Sequence, residues 1–143
     1  MEHYVQILAT IVLGTLVGVE FGVAAFTNPI FKRLPDDARW QARAAGGRIL
    51  GTVMPFWYIG ATALMIAVAV LTGAPTVISA VVVMGVVMVL TLTTLVPINN
   101  AMVAAVGAGS VATAEREQAD RWDRLHWLRV ALVFVALVLL ALS

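Results

Sequence analysis

The 143-residue chain is 62% hydrophobic and only 12% charged, with a formal net charge of +1. Soluble domains carry roughly 25% charged residues, and a domain this small buries too little of its chain to hide so much apolar surface. The sequence therefore predicts a single integral membrane domain, residues 1–143, with the lipid bilayer as its partner and no nucleic-acid partner. The absence of cysteine excludes disulfide exchange, thiolate metal sites and thiol nucleophiles.

Four apolar runs predict four membrane spans, because a helical span needs about 20 apolar residues. The first covers about 4–26 and ends before "TNP", and the second covers about 49–71. A "TGAP" turn leads into the third, about 76–96, which ends at a proline, and the fourth covers about 125–142. Short links between such helices are typical of an up-down bundle. The predicted fold class is all-α, an integral membrane four-helix bundle.

The basic residues are distributed unevenly among the connections. All nine Lys and Arg residues lie between the first and second spans or between the third span and the start of the fourth. The link between the second and third spans has none. The positive-inside rule then places both long loops in the cytoplasm and both termini outside. We expect this orientation in a bacterial inner membrane.

Both long loops have helical patterns. "DDARWQARAAGGR" begins with two helix-start aspartates and predicts a short surface helix ended by Gly46 and Gly47. "TAEREQADRWDRLHWLR" has Thr113 as an N-cap and acidic–basic pairs at i,i+4 spacing, so it predicts an extension of the fourth span into the cytoplasm. In the first span, Gly14 and Gly18 form a small-xxx-small pair that would allow a homo-oligomer.

One carboxylate, Glu20, lies inside the first span, about 9 Å from its cytoplasmic end. A charge at that depth is costly and rare, and it indicates a functional site by default. Trp122, His126 and Arg129 follow i, i+4, i+7 spacing and share one helix face. The fourth span begins on the side where the first ends, so His126 and Arg129 are expected at the depth of Glu20.

Further polar and aromatic residues fall at the same end of the bundle. Each also has a structural interpretation, which the sequence leaves open. A Glu20–Arg129 pair could simply lock two helices together, the aromatic residues could form an interface belt, the amides could be helix caps, and His126 could lie at the surface. The residues in question are Asn28, Trp57, Tyr58, Asn99 and Asn100.

The four spans, the long first loop, "VPINN" after the third span and the W-x3-H-x2-R pattern together resemble the anthrone oxygenase-like family of small four-helix membrane proteins. The resemblance covers nearly the whole chain. It implies oxidation of a flat, apolar aromatic anthrone to an anthraquinone by O2, without flavin or haem. Family membership implies the fold more firmly than the reaction.

The resemblance suggests a role for each candidate residue. Glu20 or His126 would remove an acidic benzylic proton. Arg129, with Asn99 or Asn100, would hold the enolate oxygen. The remaining residues would bind substrate, the aromatic ones by stacking on its rings: Trp57, Tyr58, Trp122 and Asn28.

No G-x-G-x-x-G loop between a strand and a helix is predicted, so a dinucleotide cofactor is not expected. Glu20 and His126 could ligate a metal, but two ligands are few for a site. Two other functions remain open: a proton-coupled small-molecule transporter and a non-catalytic accessory protein. An exporter requires two facing carboxylates in a two-fold dimer, whereas the enzyme places Glu20 beside the fourth span of its own chain. If the protein is a non-catalytic accessory protein, the site around Glu20 is expected to be too closed to admit a ligand.

Overall fold

The computed structural model describes residues 2–109, 111 and 113–143. Within these residues all the secondary structure is helical. Four helices are each long and apolar enough to cross a membrane: α1 (Glu2–Lys32), α2 (Asp36–Thr72), α3 (Pro75–Gly107) and α4 (Thr113–Ala141). The all-α, four-span prediction is confirmed.

Contacts between α1 and α4 establish their relative direction. Gln6 Nε2 donates to the backbone oxygen of Ser143 over 2.9 Å, and Arg129 Nη2 donates to Glu20 Oε2 over 2.7 Å. The two helices are therefore antiparallel, and the two ends of the chain lie together. At the short α2–α3 connection, Gly73 adopts φ +63°, a left-handed conformation that suits a glycine ending a helix. The orientation of the bundle across the membrane stays a prediction.

The half of the bundle that contains the chain termini has a closely packed apolar core. Each helix contributes one fully buried alanine, and these small side chains let the helix backbones approach closely. The four are Ala9, Ala61, Ala80 and Ala136. Leu13, Leu16, Met65 and Met84 fill the space around them.

Two π-helical segments interrupt the regular α-helix, Val23–Thr27 in α1 and Thr91–Leu95 in α3. Each ends two residues before a proline, Pro29 or Pro97. Proline lacks an N–H, and its ring clashes with the carbonyl four residues earlier. A widened π turn accommodates that clash without breaking the helix. The sequence-based ends of the first and third spans, before "TNP" and at Pro97, are therefore not helix ends.

The predicted surface helix of the first loop is not separate, because α2 continues through Gly46 and Gly47 without ending. A glycine inside a helix costs about 1 kcal/mol relative to alanine. At Gly47 the missing side chain lets α3 approach, since an added Cβ would lie 2.5 Å from Asn99 Oδ1. Neither glycine ends the helix, and Gly47 allows close packing against α3. The predicted extension of the fourth span is confirmed, because Thr113–Ala141 is one helix.

Candidate functional site

A buried cluster of charged and polar side chains joins α1 to α4. Arg129 donates to Glu20 Oε2 twice, from Nε over 3.0 Å and from Nη2 over 2.7 Å. Arg129 Nη2 also lies 2.9 Å from His126 Nδ1. Glu20 is 1% exposed and Arg129 is 8% exposed, so the pair compensates a carboxylate that would be very costly alone. The structure brings these three predicted residues together.

The partners of His126 assign its tautomer. His126 Nε2 lies 3.1 Å from the backbone oxygen of Glu20, which can only accept, so Nε2 carries the hydrogen. Arg129 can only donate, so Nδ1 is the acceptor. This pattern describes a neutral imidazole with both ring nitrogens engaged. His126 therefore orients Arg129 and the backbone of Glu20.

Beside this cluster lies a cavity of about 310 Å³, bounded by all four helices. Its size falls within the roughly 300–1,000 Å³ of small-molecule pockets. Both π segments contribute to its walls. Apolar side chains dominate the lining, among them Val19, Val23, Phe31, Leu50, Met54, Met88, Leu92 and Leu95.

Two buried oxygen atoms at the cavity wall lack hydrogen-bond partners. Glu20 Oε1 and Tyr58 Oη have no partner within hydrogen-bonding distance among the described residues, although the Tyr58 hydroxyl lies close enough to the Glu20 carboxylate for a longer electrostatic contact. The Arg129 guanidinium lies 5.7 Å from the centroid of the Tyr58 ring. A buried polar atom without a partner costs about 1–3 kcal/mol, so a hydrogen bond from a water or a ligand would be favourable at these atoms. Glu20, Tyr58 and Arg129 together line a place where a ligand oxygen would fit.

A second group of polar contacts continues along α4 from His126. The Trp122 ring stacks on His126, with centroids 4.7 Å apart and planes 10° apart. The Arg43 guanidinium lies 5.4 Å from the Trp122 ring centroid. Arg43 Nη2 donates to Asp123 Oδ1 over 2.6 Å, and Asp123 also pairs with Lys32 over 2.8 Å. The cavity lining thus includes Trp122 and Arg43 as well as His126.

Two predicted substrate-binding residues lie outside the cavity. Asn28 and Asn99 line it, but Asn100 is exposed and does not. Trp57 donates from Nε1 to a backbone carbonyl of α1 over 3.2 Å and does not line it either. Successive helix residues project about 100° apart, so Tyr58 and Asn99 face inward while their neighbours do not. Trp57 and Asn100 therefore do not line this cavity, and their assignment to substrate binding stays a prediction.

Arg43 is not among the predicted site residues, because its segment predicts a surface helix. The side chain of Arg43, which belongs to α2, is only 7% exposed because it packs against α4. A signal was present, because Trp40, Ala44, Gly47 and Gly51 recur at three- and four-residue spacing along the same helix. Such spacing predicts a face that packs against a neighbour, and Arg43 lies within that stripe.

The cavity opens sideways between α2 and α3. Every exposed residue in its lining lies on these two helices, at four-residue spacing: Gly51, Pro55 and Ile59 on α2, and Leu92 and Val96 on α3. Helix α2 packs against α3 on both sides of the π segment Thr91–Leu95 but makes few contacts with the segment itself. This opening faces the surface where a bilayer would lie.

The described residues contain no group of three or more His, Asp or Glu side chains arranged to hold a metal. Glu20 Oε2 and His126 Nδ1 are 3.3 Å apart. Both accept hydrogen bonds from Arg129. A cation placed between these two atoms would have to displace the Arg129 guanidinium from both of them.

Comparison with known proteins identifies the family. The sequence model of the family described as "Anthrone oxygenase" matches residues 4–139. No curated protein and no solved structure gives a significant match. The matched region includes most of all four helices and every charged or polar residue that lines the cavity. The chain belongs to the anthrone oxygenase family.

Proposed function

We propose that this protein oxidises a flat, apolar anthrone-type substrate to the corresponding quinone with O2. One observation carries the proposal. At the wall of an apolar cavity of about 310 Å³, the buried carboxylate of Glu20 has one oxygen held by Arg129 and the other without a hydrogen-bond partner among the described residues. The family suggests the anthrone-type substrate and the reaction with O2, and the site supports them by supplying the groups that such a reaction needs.

Glu20 is the better of the two predicted bases. An anthrone has an acidic CH2 group opposite its carbonyl, and removing one proton moves negative charge to the carbonyl oxygen. Glu20 Oε1 accepts no hydrogen bond from a described residue, whereas both ring nitrogens of His126 already form hydrogen bonds. We assign proton removal to Glu20 and a positioning role to His126.

Arg129 and Tyr58 would stabilise the resulting oxyanion. The hydrogen bonds of Arg129 use Nε and Nη2, which leaves Nη1 for the substrate oxygen. The Tyr58 hydroxyl supplies a second donor. Fixed donors in an apolar cavity stabilise a developing charge more strongly than water does.

The oxidation balances with one O2 per substrate. The anion gives an electron to O2, the two radicals form a C–O bond at the benzylic carbon, and the peroxide takes the proton from Glu20. Glu20 then removes the second benzylic proton, the O–O bond breaks, and the quinone forms. The released hydroxide takes that proton and leaves as water. An apolar cavity suits both O2 and the aromatic rings and limits competing reactions with water.

The same geometry disfavours the two alternatives. An exporter would need Glu20 to face the carboxylate of a second subunit, but α4 of its own chain buries it. The adjacent guanidinium would also repel a cationic cargo. In a non-catalytic accessory protein the site is expected to be closed to ligands, whereas this bundle has a cavity that opens between α2 and α3.

The test is turnover of anthrone by the purified protein in detergent, followed by quinone absorbance and O2 uptake. We expect one O2 consumed per quinone formed. Glu20→Gln should lower kcat by about 100-fold or more. Glu2→Gln is the matched control, because Glu2 is exposed and lies near the chain terminus, outside the cavity lining. Absence of wild-type turnover would refute the reaction, and full turnover by Glu20→Gln would refute the base.

A further inference from the structure

The wall of the cavity contains more unpartnered hydrogen-bond donors than the proposed reaction uses. Arg43 Nε, Arg43 Nη1 and Trp122 Nε1 are buried and make no hydrogen bond to any residue that the structure describes. Both side chains line the cavity. None of these atoms contacts the oxyanion position beside Glu20 in the mechanism above. They form a separate group at the Trp122 end of the cavity.

These atoms can be satisfied only by acceptors. Guanidinium and indole N–H groups donate and never accept. Arg43 already uses Nη2 for Asp123 Oδ1 and for the backbone oxygen of Ala119. Nε and Nη1 remain, and a carboxylate is the group that guanidinium nitrogens bind most strongly, often in pairs.

The charge of the cavity wall favours an anion. The charged residues in the lining are Glu20, Arg43 and Arg129, two cations against one anion. Glu20 and Arg129 neutralise each other. Behind the wall, Asp123 pairs with both Arg43 and Lys32, and Lys32 also pairs with Asp120 over 3.4 Å. The charges behind the wall therefore balance, and only the lining itself favours an anion.

We infer that Arg43 and Trp122 form a second subsite, which binds an anionic oxygen substituent of the aromatic ligand. For the ligand skeleton this inference rests on the proposed function. Trp122 precedes Arg129 by seven residues on α4, about 10 Å along the axis. A substituent on an outer ring is displaced from the central carbonyl towards one end of the molecule, so with a hydrogen bond at each end the carbonyl can meet Arg129 while the anionic group meets Arg43.

The test compares two ligands of nearly the same shape, the anionic anthraquinone-2-carboxylate and the neutral anthraquinone-2-carboxamide. Their binding is measured by equilibrium dialysis into protein-containing and protein-free micelles. The wild-type protein should bind the carboxylate at least about 10-fold more tightly, as expected for charge-assisted hydrogen bonds. Arg43→Gln should abolish that preference and leave carboxamide affinity within about 3-fold. Arg39→Gln is the matched control, since Arg39 lies one turn away and does not line the cavity.

A second variant covers the case in which Arg43→Gln fails to fold after losing its Asp123 partner. Trp122→Phe keeps an aromatic ring beside His126 but removes the Nε1 donor, and should weaken carboxylate binding selectively. Equal wild-type affinity for the two ligands would overturn the inference. So would an unchanged preference in both variants, which would mean that the N–H groups meet only water.

Binding needs no turnover, so this test fails independently of the proposed reaction. Carboxylate preference that depends on Arg43, in a protein that does not oxidise anthrone, supports the subsite and removes the oxygenase. Oxidation of anthrone without any carboxylate preference refutes the subsite alone.

Discussion

The pair of Glu20 and Arg129 makes a quantitative prediction about stability. Arg129→Met would leave a buried carboxylate without either of the hydrogen bonds that Arg129 donates to it. Removing one partner of a buried ion pair costs about 3–5 kcal/mol, whereas replacing both by apolar side chains is often neutral or stabilising. The double variant Glu20→Leu/Arg129→Met should therefore be at least about 2 kcal/mol more stable than Arg129→Met alone.

The assay is unfolding in mixed micelles with increasing SDS, followed by circular dichroism, for the wild type, both single variants and the double variant. An exposed pair provides the control cycle. Arg116 Nη2 and Asp36 Oδ2 are 3.0 Å apart, with side chains 45% and 58% exposed, so their coupling should be only about 0.5 kcal/mol. Additive losses at Glu20 and Arg129 would refute the buried pair.

Three further predictions concern packing, the oxyanion and the opening. Gly47→Ala should be about 1 kcal/mol less stable than Gly46→Ala, because its added Cβ would lie 2.5 Å from Asn99 Oδ1 and force that side chain to move. Tyr58→Phe should lower kcat by about 100-fold without lowering the thermal midpoint, since its buried hydroxyl makes no hydrogen bond to a described residue. Ile59→Trp should narrow the opening and lower kcat/KM for anthrone about 10-fold, or 1.4 kcal/mol, while Phe56→Trp, outside the lining, should leave it unchanged.

Each of these predictions has an outcome that contradicts it. The nearest atom to a Cβ at Gly46 is 3.8 Å away, so Gly46→Ala should be neutral or stabilising. Equal effects at the two glycines would argue against the close approach of Asn99. A Tyr58→Phe variant that is both active and stable would remove the hydroxyl from the mechanism. Equal kinetics for the variants of Ile59 and Phe56 would place the opening elsewhere.

The sequence was informative where charge or periodicity determined the structure. A carboxylate in an apolar span requires a partner, and the i, i+4, i+7 face of α4 supplied one, so the meeting of Glu20, His126 and Arg129 could be predicted. The four spans followed in the same way from the cost of exposing apolar surface to water.

The sequence was uninformative where one chemical signal has two structural outcomes. Because proline often ends a helix, Pro29 and Pro97 predict helix ends. In the structure a π turn before each proline lets the helix continue. Glycine pairs end helices or let helices pack closely, and only the neighbouring Asn99 distinguishes these outcomes at Gly47. Arg43 was placed at the surface because arginine usually lies there.

The direction in which individual side chains project could not be predicted from the sequence. Trp57 and Tyr58 are adjacent, as are Asn99 and Asn100, and only one residue of each pair faces the cavity. A rotation of about 100° per residue separates neighbours, and the rotation of each helix is set by packing between helices rather than by local sequence.

Hydrogen exchange measures removal of the benzylic proton by the Glu20 carboxylate separately from the oxidation. Anthrone would be incubated anaerobically with protein in D2O, and loss of the CH2 signal would be followed by NMR against protein-free micelles. If Glu20 removes this proton, the wild-type protein should accelerate the exchange. The Glu20→Gln variant, provided that it is folded and binds anthraquinone, should not. Equal acceleration by the wild type and Glu20→Gln would contradict this role and leave Glu20 as a structural partner of Arg129.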